Sequence, residues 1–572
     1  MKPGSKNESW LVFDIETNGL YDKVTKVFCI VIYDINREET FAYGPDRIDD
    51  ALAHLATGDV LIGHNVIFYD VPVLQKLHSF NCKTRILDTL ICTRLIWPKE
   101  KLYDLDVQLY PEVPKNYRGM AGLKAWGYRL SDNKIEFKDF SEYSEEMLVY
   151  CKQDVSVTSK LWRHIANQGY PEQALKLEHD FALAINKQIR AGVSFDVDAA
   201  IDLVDNLRAR EAQLETELKE IFPPIEHRNW FTPKVNNKNR GYVKGVPFEK
   251  IHYEEFNPGS RDQIADRLKA KYGWQPEKTT EKGNPILNDE VLEALPYPEA
   301  KPLAEYMLIK KRLGQIADGN NAWLKLVNND SSRMHGDVVT NGCVTGRCAH
   351  RYPNMGQVPA GYSPYGKECR SLFHAPQGWD MIGIDAKALE LRCLAGYPTR
   401  DISKRLLYAV LYGAGHFKAG SIVDPNEKDE EVLRELGRTA INSFMTGVPA
   451  LKKLKQQIDS YIAHRGYLIG LDKRILYCRS AFKGLNVLLQ SAGAILMKQV
   501  VINIHNNIES ALTLPHGAEW EQVLMVHDEV QIVCKPQHTE RIRDQAMRAF
   551  PQAQKFFGLQ CEIEGDSRVG SC

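Results

Sequence analysis

Short apolar runs separated by turns open the chain: LVFDIE, VFCIVIYDI, TFAYG and VLIGHNV all fall within residues 10–80. Runs of this length, rich in β-branched residues, predict strands, and from Val71 to Leu77 the apolar spacing becomes helical. Residues 144–162, SEEMLVYCKQDVSVTSKLW, predict a helix capped by Ser144. This pattern describes a self-contained α/β domain ending near residue 170. From Leu177 to Ile221 the periodicity is long and helical, with a break at AGVSFD. Residues 223–250 are rich in Pro, Asn, Lys and Gly and predict a loop or small insertion. Helices are predicted again after Ser260 and across EAKPLAEYMLIKKRLGQIADGNNAWLKLV. Strands and turns return after residue 335, helices follow to about residue 464, and two strands flank HDE near residue 528. There is no internal repeat.

Length adds that more than one domain is expected in 572 residues. The N-terminal MKPGSKNESW lacks the apolar core of a signal peptide, and no stretch is expected to span a bilayer. Twelve scattered cysteines without a CxxC pair suggest reduced thiols in a cytosolic compartment. A net charge of −1 argues only weakly against a nucleic-acid partner, because binding depends on where charge sits. Cations do cluster, at Lys234, Lys238, Arg240 and Lys244, at Lys310, Lys311 and Arg312, and at Arg347 and Arg351. Any one of these clusters alone is more often a solvated face.

Candidate chemistry lies in three acidic clusters beside apolar runs: Asp14 and Glu16 in LVFDIETNGL, Asp385 in MIGIDAKALELR, and Asp528 and Glu529 in VLMVHDEVQIV. A carboxylate at a buried strand is costly without a neutralising cation, and clustered carboxylates suit Mg²⁺. Asp14 and Glu16, two apart on a strand, project from one face. Asp70 opens a helix, and Tyr150 and Asp154, four apart on a helix, are neighbours. Converging, these four carboxylates and the phenol make a two-metal phosphodiesterase site in which Tyr150 orients the water. D-x-E or Y-x-x-x-D alone is usually structural; the ordered set is far more specific. Asp385 and Asp528, on two strands side by side, would make a second two-metal site. HDE alone is more often an exposed charged turn. Between them, Arg400, Lys404 and Tyr408 follow one side of a predicted helix and suit a nucleoside triphosphate, although a basic helix face with a packed tyrosine is the commoner reading in isolation.

The ordered first set resembles the 3′→5′ exonuclease domain of DnaQ-like, RNase H-like nucleases. The strings TGRCAHRYPNMGQVP, SPYGKECRSLF, IDAKALELRCLA, RDISKRLLYAVLYGAG, LNVLLQSAGAI and VHDEVQI resemble the family A (DNA polymerase I type) DNA polymerases, in particular the single-chain replicative enzymes of short-tailed bacteriophages. The resemblance implies an α/β plus α+β multidomain chain, an RNase H-like exonuclease followed by a right-hand polymerase. Its expected divisions are an exonuclease at 1–170, palm entry and helical thumb at 171–334, palm at 335–399, fingers at 400–470 and palm at 471–572. It implies catalytic acids Asp385 and Asp528 with the Ala386 carbonyl as a further metal ligand. It assigns Asp14, Glu16, Asp70, Tyr150 and Asp154 to excision, with Asn65 helping to position the strand. Glu390, Arg400, Lys404, Tyr408 and Tyr412 would hold the dNTP, and Arg347, Asn486, Gln490 and His527 the primer end. Two Mg²⁺ ions are expected at each site. Primer–template DNA, dNTPs and a phage helicase–primase are the expected partners, with a monomer in the cytoplasm of an infected bacterial cell and no membrane association. Thioredoxin is not expected, because the segment 223–255 is short. Only seven residues separate Arg392 from Arg400, where the family places several helices. The fingers are therefore expected to be shortened, and an exonuclease with a DNA-binding but weakly active polymerase half is the alternative.

Overall fold

The computed structural model describes residues 8–81, 84–276, 279–280, 283–387, 389, 392, 415–424, 427, 429–447 and 449–570. They form two compact units, one made of Met1–Val193, Gly336–Gln357 and Ala375–Ser571, the other of Ser194–His335 and Val358–His374.

The first unit begins with a five-stranded sheet of β1 (Trp10–Thr17), β2 (Val27–Asp34), β3 (Glu39–Tyr43), β4 (Val60–Gly63) and β5 (Arg85–Asp88), in the order β3-β2-β1-β4-β5. β1 lies at its centre, antiparallel to β2 and parallel to β4. With both faces covered, β1 is buried along almost its whole length. Its alternation divides two cores. Leu11, Phe13 and Ile15 join one, while Trp10 and Val12 join the core that holds Cys151, Val155 and Trp162 of the long helix α2. Among the helices that pack on this sheet are α1 (Asp70–His78), α2 (Glu145–Ala166) and α3 (Glu172–Ala191). The Ser144 hydroxyl accepts the Met147 N–H at 3.1 Å, the N-cap read from the sequence. At the expected helical break, Gly192 ends α3 at φ 65°, a conformation that suits glycine.

The second unit starts with α4 (Val197–Ile221) and continues into an antiparallel hairpin, β6 (Ile225–Phe231) and β7 (Phe248–Glu254). The loop expected over 223–250 is thus a hairpin. Its Ile225, Trp230, Phe231, Phe248, Ile251 and Tyr253 favour strands, a signal masked by the polar residues between them. Ser260 caps the helix Arg261–Tyr272 as expected. The long helix predicted from 299 divides, with Ala300–Leu313 followed by a π-helical turn at Gly314–Asp318 and a short helix at Trp323–Leu326.

The remainder of the first unit is built on a four-stranded antiparallel sheet. It contains β8 (Asp380–Ala386), β9 (Trp520–Val526), β10 (Glu529–Cys534) and β11 (Gly565–Gly570), in the order β9-β10-β8-β11. The helices α5 (Gly484–Asn506) and α6 (Thr539–Phe557) cover it, and their apolar positions join Ile382, Ile384, Val530 and Ile532 in one core. The expectation that no segment is long and apolar enough to cross a bilayer fails for Ala481–Ala511, whose mean hydropathy reaches 1.5. Two-thirds of that window is buried among other elements: an all-round apolar helix here is the axis of a protein core.

Candidate active sites

The strand pleat puts Asp14 and Glu16 on the β1 face that packs against α2, where Tyr150, Cys151 and Asp154 stand. The donor atoms of Asp14, Glu16 and Cys151 lie within 4.8 Å of one another. Asp70, first residue of α1, is tied to the same strand: its Oδ1 accepts the Ile15 N–H at 3.3 Å. The Lys134 ammonium pairs with Asp154 and lies 4.6 Å from the centroid of the Tyr150 ring. Phe137 and Phe140 wall the other sides of that ring at 5.6 and 6.1 Å.

Burial drives the electrostatics of this pocket. It raises the Asp14 carboxyl well above its usual range, reinforced by Asp70, Glu16 and Asp154. Glu16 is pushed up to about 9 and Asp70 to about 7, burial again leading in both. Asp154 is raised by burial and opposed by Lys134. The Tyr150 hydroxyl is pushed to about 12 by burial and then by Asp154, so it stays a proton donor at neutral pH. The Cys151 thiol is likewise raised well above its usual value and donates to the Asp14 carbonyl and Oδ2 at 3.5 and 3.6 Å. It is no thiolate, which leaves an all-oxygen donor set. Asp154 Oδ1 is buried without a hydrogen-bond partner. Crowded carboxylates, an orphaned oxygen and no soft ligand fit a hard divalent cation.

The second site forms where β8 meets the β9–β10 hairpin. Asp385 pairs with Glu529 on one side and Asp566 on the other, and the Ala386 N–H donates to the Asp528 carbonyl at 3.1 Å. Only His527 and Asp528 separate the paired residues Val526 and Glu529; His527 takes φ 56°, which tightens the turn. Asp385 is exposed, yet the surrounding protein partly desolvates it. Its carboxyl rises to about 6, first from that desolvation, then from Asp528, Glu529 and Asp566. These charges are all negative, so this donor set also fits a divalent cation. Arg347, His527 and Asp528 line one crevice with Gly493, Ala494 and Lys498. Asn486 and Gln490 are half-buried on α5, two turns and one turn before Ala494.

A family model described as DNA polymerase family A matches residues 245–399, and one for the RNase H superfamily matches residues 11–166. The DNA-directed DNA polymerase of Escherichia phage T7 is 31% identical, the alignment covering 98% of this chain and 99% of that enzyme. The corresponding enzyme of Enterobacteria phage T3 has the same identity and coverage. The chain belongs to the family A DNA polymerases. DNA polymerase I of Aquifex aeolicus is 22% identical over 99% of this polymerase and 96% of its own length. Among solved structures, the POL domain of Pol1 from M. smegmatis in complex with DNA primer-template and dNTP superposes with a TM-score of 0.68. It shares 15% identity, and the match covers 99% of this chain and 95% of its own. RNase H-like nucleases and polymerases of this family use divalent metal ions.

The T7 alignment runs over 708 positions, more than the 572 residues of this polymerase, so that relative carries segments absent here. The residues expected to hold dNTP, Glu390, Arg400, Lys404, Tyr408 and Tyr412, lie outside the described residues, as does the join after Arg392. Two groups of residues escaped the sequence reading. In the nuclease half, Lys134 lies in a coil and carries no motif, and Asp88 shapes the second motif. The Asp88 carboxylate accepts the N–H groups of Asn65, Ile67 and Leu90 at 2.9, 3.2 and 2.9 Å, and Asn65 is held at φ 68°. Behind the palm, Lys498 reaches Glu178 at 2.6 Å and the Thr340 carbonyl at 2.8 Å, while Arg474 reaches Glu178 at 2.7 Å and Asp472 at 2.6 Å. All four charged groups are buried, and they anchor the start of the loop that carries Arg347. Side chains so distant in sequence give no local signal.

Proposed function

We propose that this polymerase performs template-directed DNA synthesis at Asp385 and Asp528 and 3′→5′ excision at Asp14, Glu16, Asp70 and Asp154. The observation that carries this reading is a pair of crowded carboxylate clusters on one chain, each gathered around a strand of its own sheet and each suited to divalent ions. We assign two Mg²⁺ ions to each site, with the Ala386 carbonyl as a further ligand in the palm. When bound, the ions would lower the pKa of the attacking hydroxyl or water and neutralise the leaving group. In the nuclease pocket, the protonated Tyr150 orients the attacking water and Asn65 helps to place the strand. In the palm, Arg347, Asn486, Gln490 and His527 approach the primer end, where minor-groove acceptors allow geometry to be checked without reading sequence. Glu390, Arg400, Lys404, Tyr408 and Tyr412 bind the incoming dNTP.

The division proposed is exonuclease 1–170, palm entry and thumb 171–334, palm 335–399 and 471–572, and shortened fingers 400–470. Primer–template DNA and dNTPs are the substrates, as the mycobacterial complex suggests. A phage helicase–primase is the working partner, and the enzyme acts as a monomer in the infected bacterial cytoplasm. A second reading, excision with little extension, is favoured by the longer alignment of the relatives and by a family A match that stops at residue 399.

Primer–template, Mg²⁺ and four dNTPs separate the readings. Asp385→Ala is expected to lose extension by at least ~10²-fold and to keep excision, and Asp14→Ala the reverse. Degradation without extension by the unaltered enzyme would favour the second reading.

A further inference from the structure

Arg190, the last residue but one of α3, carries a guanidinium that the fold leaves without a counter-ion. One of its amino groups donates to the Phe68 carbonyl. Its central carbon lies over the Tyr21 ring, 3.5 Å from the centroid. Its Nε is buried without a hydrogen-bond partner. Asp22 and Asp337 are near enough to favour the charge, but Asp337 is held by Arg351, and among the described residues no carboxylate bonds Arg190. Lys76 of α1 approaches the same ring, its ammonium 4.9 Å from the centroid. It donates to the Tyr21 carbonyl at 2.6 Å and the Asp22 carbonyl at 3.4 Å, and again no carboxylate pairs with it among the described residues.

Both cations stand on the two segments that deliver the nuclease acids. Tyr21 lies in the turn that follows Glu16, and Phe68 lies just before Asp70. These segments are tied together, because the Tyr69 hydroxyl bonds to the Thr17 hydroxyl and to the Gly19 carbonyl, each at 2.5 Å. A partly buried guanidinium without an anion is costly, and the face of Tyr21 offsets only part of that cost. A phosphate supplies paired oxygens that match the guanidinium fork. The substrate of the neighbouring pocket is itself a polyanion, and the pocket is acidic. Its own lysine, Lys134, is already paired with Asp154. Phosphates that the metal ions do not hold must therefore find a cation beside the pocket, and Arg190 and Lys76 are uncommitted.

We propose that Arg190 and Lys76 hold a non-scissile phosphate of the strand being excised, with Tyr21 aligning the two cations. The proposal rests on the nuclease reading above. Both would be positioning residues: they fix the strand, and the acids do the chemistry.

The test uses the full-length enzyme, single-stranded DNA and Mg²⁺ without dNTPs. Arg190→Met is expected to raise the KM of excision at least ~10-fold, with a smaller change in kcat. Lys76→Met leaves the Arg190–Phe68 bond in place and should raise KM in the same direction, and Arg190→Lys should recover part of the loss. Primer extension by each variant controls for folding. Each linkage near the 3′ end is then replaced in turn by an uncharged methylphosphonate. At one non-scissile linkage, neutralisation should slow the parent ~10-fold and leave Arg190→Met and Lys76→Met nearly unaffected. A merely structural role does not produce such coupling between a side chain and one phosphate. Equal penalties in parent and variants at every linkage overturn the proposal. So does weaker inhibition by added deoxynucleoside monophosphate without that coupling, which would assign the cations to the released product. If Arg190→Met fails to extend a primer, Lys76→Met with the same substrates decides. A parent enzyme that excises nothing would instead strike the underlying nuclease reading.

Discussion

The nuclease pocket and the palm edge each place acids on strands, yet they handle the charge in opposite ways. In the pocket, Glu16, Asp70 and Asp154 are almost fully buried and a lysine of the protein, Lys134, pairs with one of them. At the palm, Lys498 lines the same crevice as Asp528, but its ammonium is bound to Glu178 and the Thr340 carbonyl. There the acids stay near solvent, and Asp385 rises only to about 6. A buried carboxylate needs a nearby cation, from the protein or from outside, or else it takes up a proton, as the raised values of Glu16 and Asp70 show; exposure is the other solution. The pocket is thus held partly satisfied by its own lysine, while at the palm the lysine that lines the crevice is spent on Glu178 and the Thr340 carbonyl.

The largest expected effect tests the statement that Lys498 is structural. Its side chain is 1% exposed and that of Glu178 is fully buried. Lys498→Met should cost about 3–5 kcal/mol, because it strips one partner from a buried cluster. Chemical unfolding measures this. Lys498→Met combined with Glu178→Leu should recover much of the loss, since Arg474 keeps Asp472. A single variant as stable as the parent would mean that the ammonium does not hold the palm loop, and the contrast with Lys134 would disappear.

Next is the pH dependence of the metal-free protein. Glu16 and Asp70 stand at about 9 and about 7, above the values they take when unfolded. Folded protein therefore binds more protons than unfolded protein above the ordinary carboxylate range. The stability these groups contribute is whole at lower pH and is lost as pH climbs through about 7 and then about 9. Asp385, at about 6, has largely finished titrating by then. Between pH 7 and 9 the decline, about 2–3 kcal/mol for one proton, should belong to the nuclease pocket. Melting in EDTA across this range checks it, and Asp14→Asn with Glu16→Gln should flatten the curve. A parent curve that is already flat would remove the claim that buried like charges strain the pocket.

How much of this could be read from the chain alone depended on distance in sequence. Asp14 and Glu16 were visible because a strand repeats every two residues, and Tyr150 and Asp154 because a helix brings residues four apart together. The Ser144 and Ser260 caps announced themselves for the same local reason. The hairpin at 225–254 was hidden, because polar residues interrupt its strands and its tip is polar. The apolar length of Ala481–Ala511 was underestimated because polar residues such as Gln490 and Lys498 interrupt it. Lys134, Asp88 and the Glu178–Arg474–Lys498 cluster depend on tertiary approach alone. Lys498 and Glu178 are 320 residues apart, and no local pattern encodes their meeting.

The smallest effect bears most directly on the comparison. Lys134 is 21% exposed at the side chain and its partner Asp154 5%, between the surface and interior limits. Lys134→Met should cost about 1 kcal/mol in metal-free protein near pH 8. If the lysine stands in for an absent cation, the variant pocket is the more negative one, and Mn²⁺ should then stabilise it more than it stabilises the parent. Paired melting curves with and without Mn²⁺ give that difference directly, with no need for a turnover assay. Equal stabilisation of parent and variant would mean that Lys134 and the ion do not share a field. The pocket would then resemble the palm, with a lysine nearby that does nothing for the acids that matter.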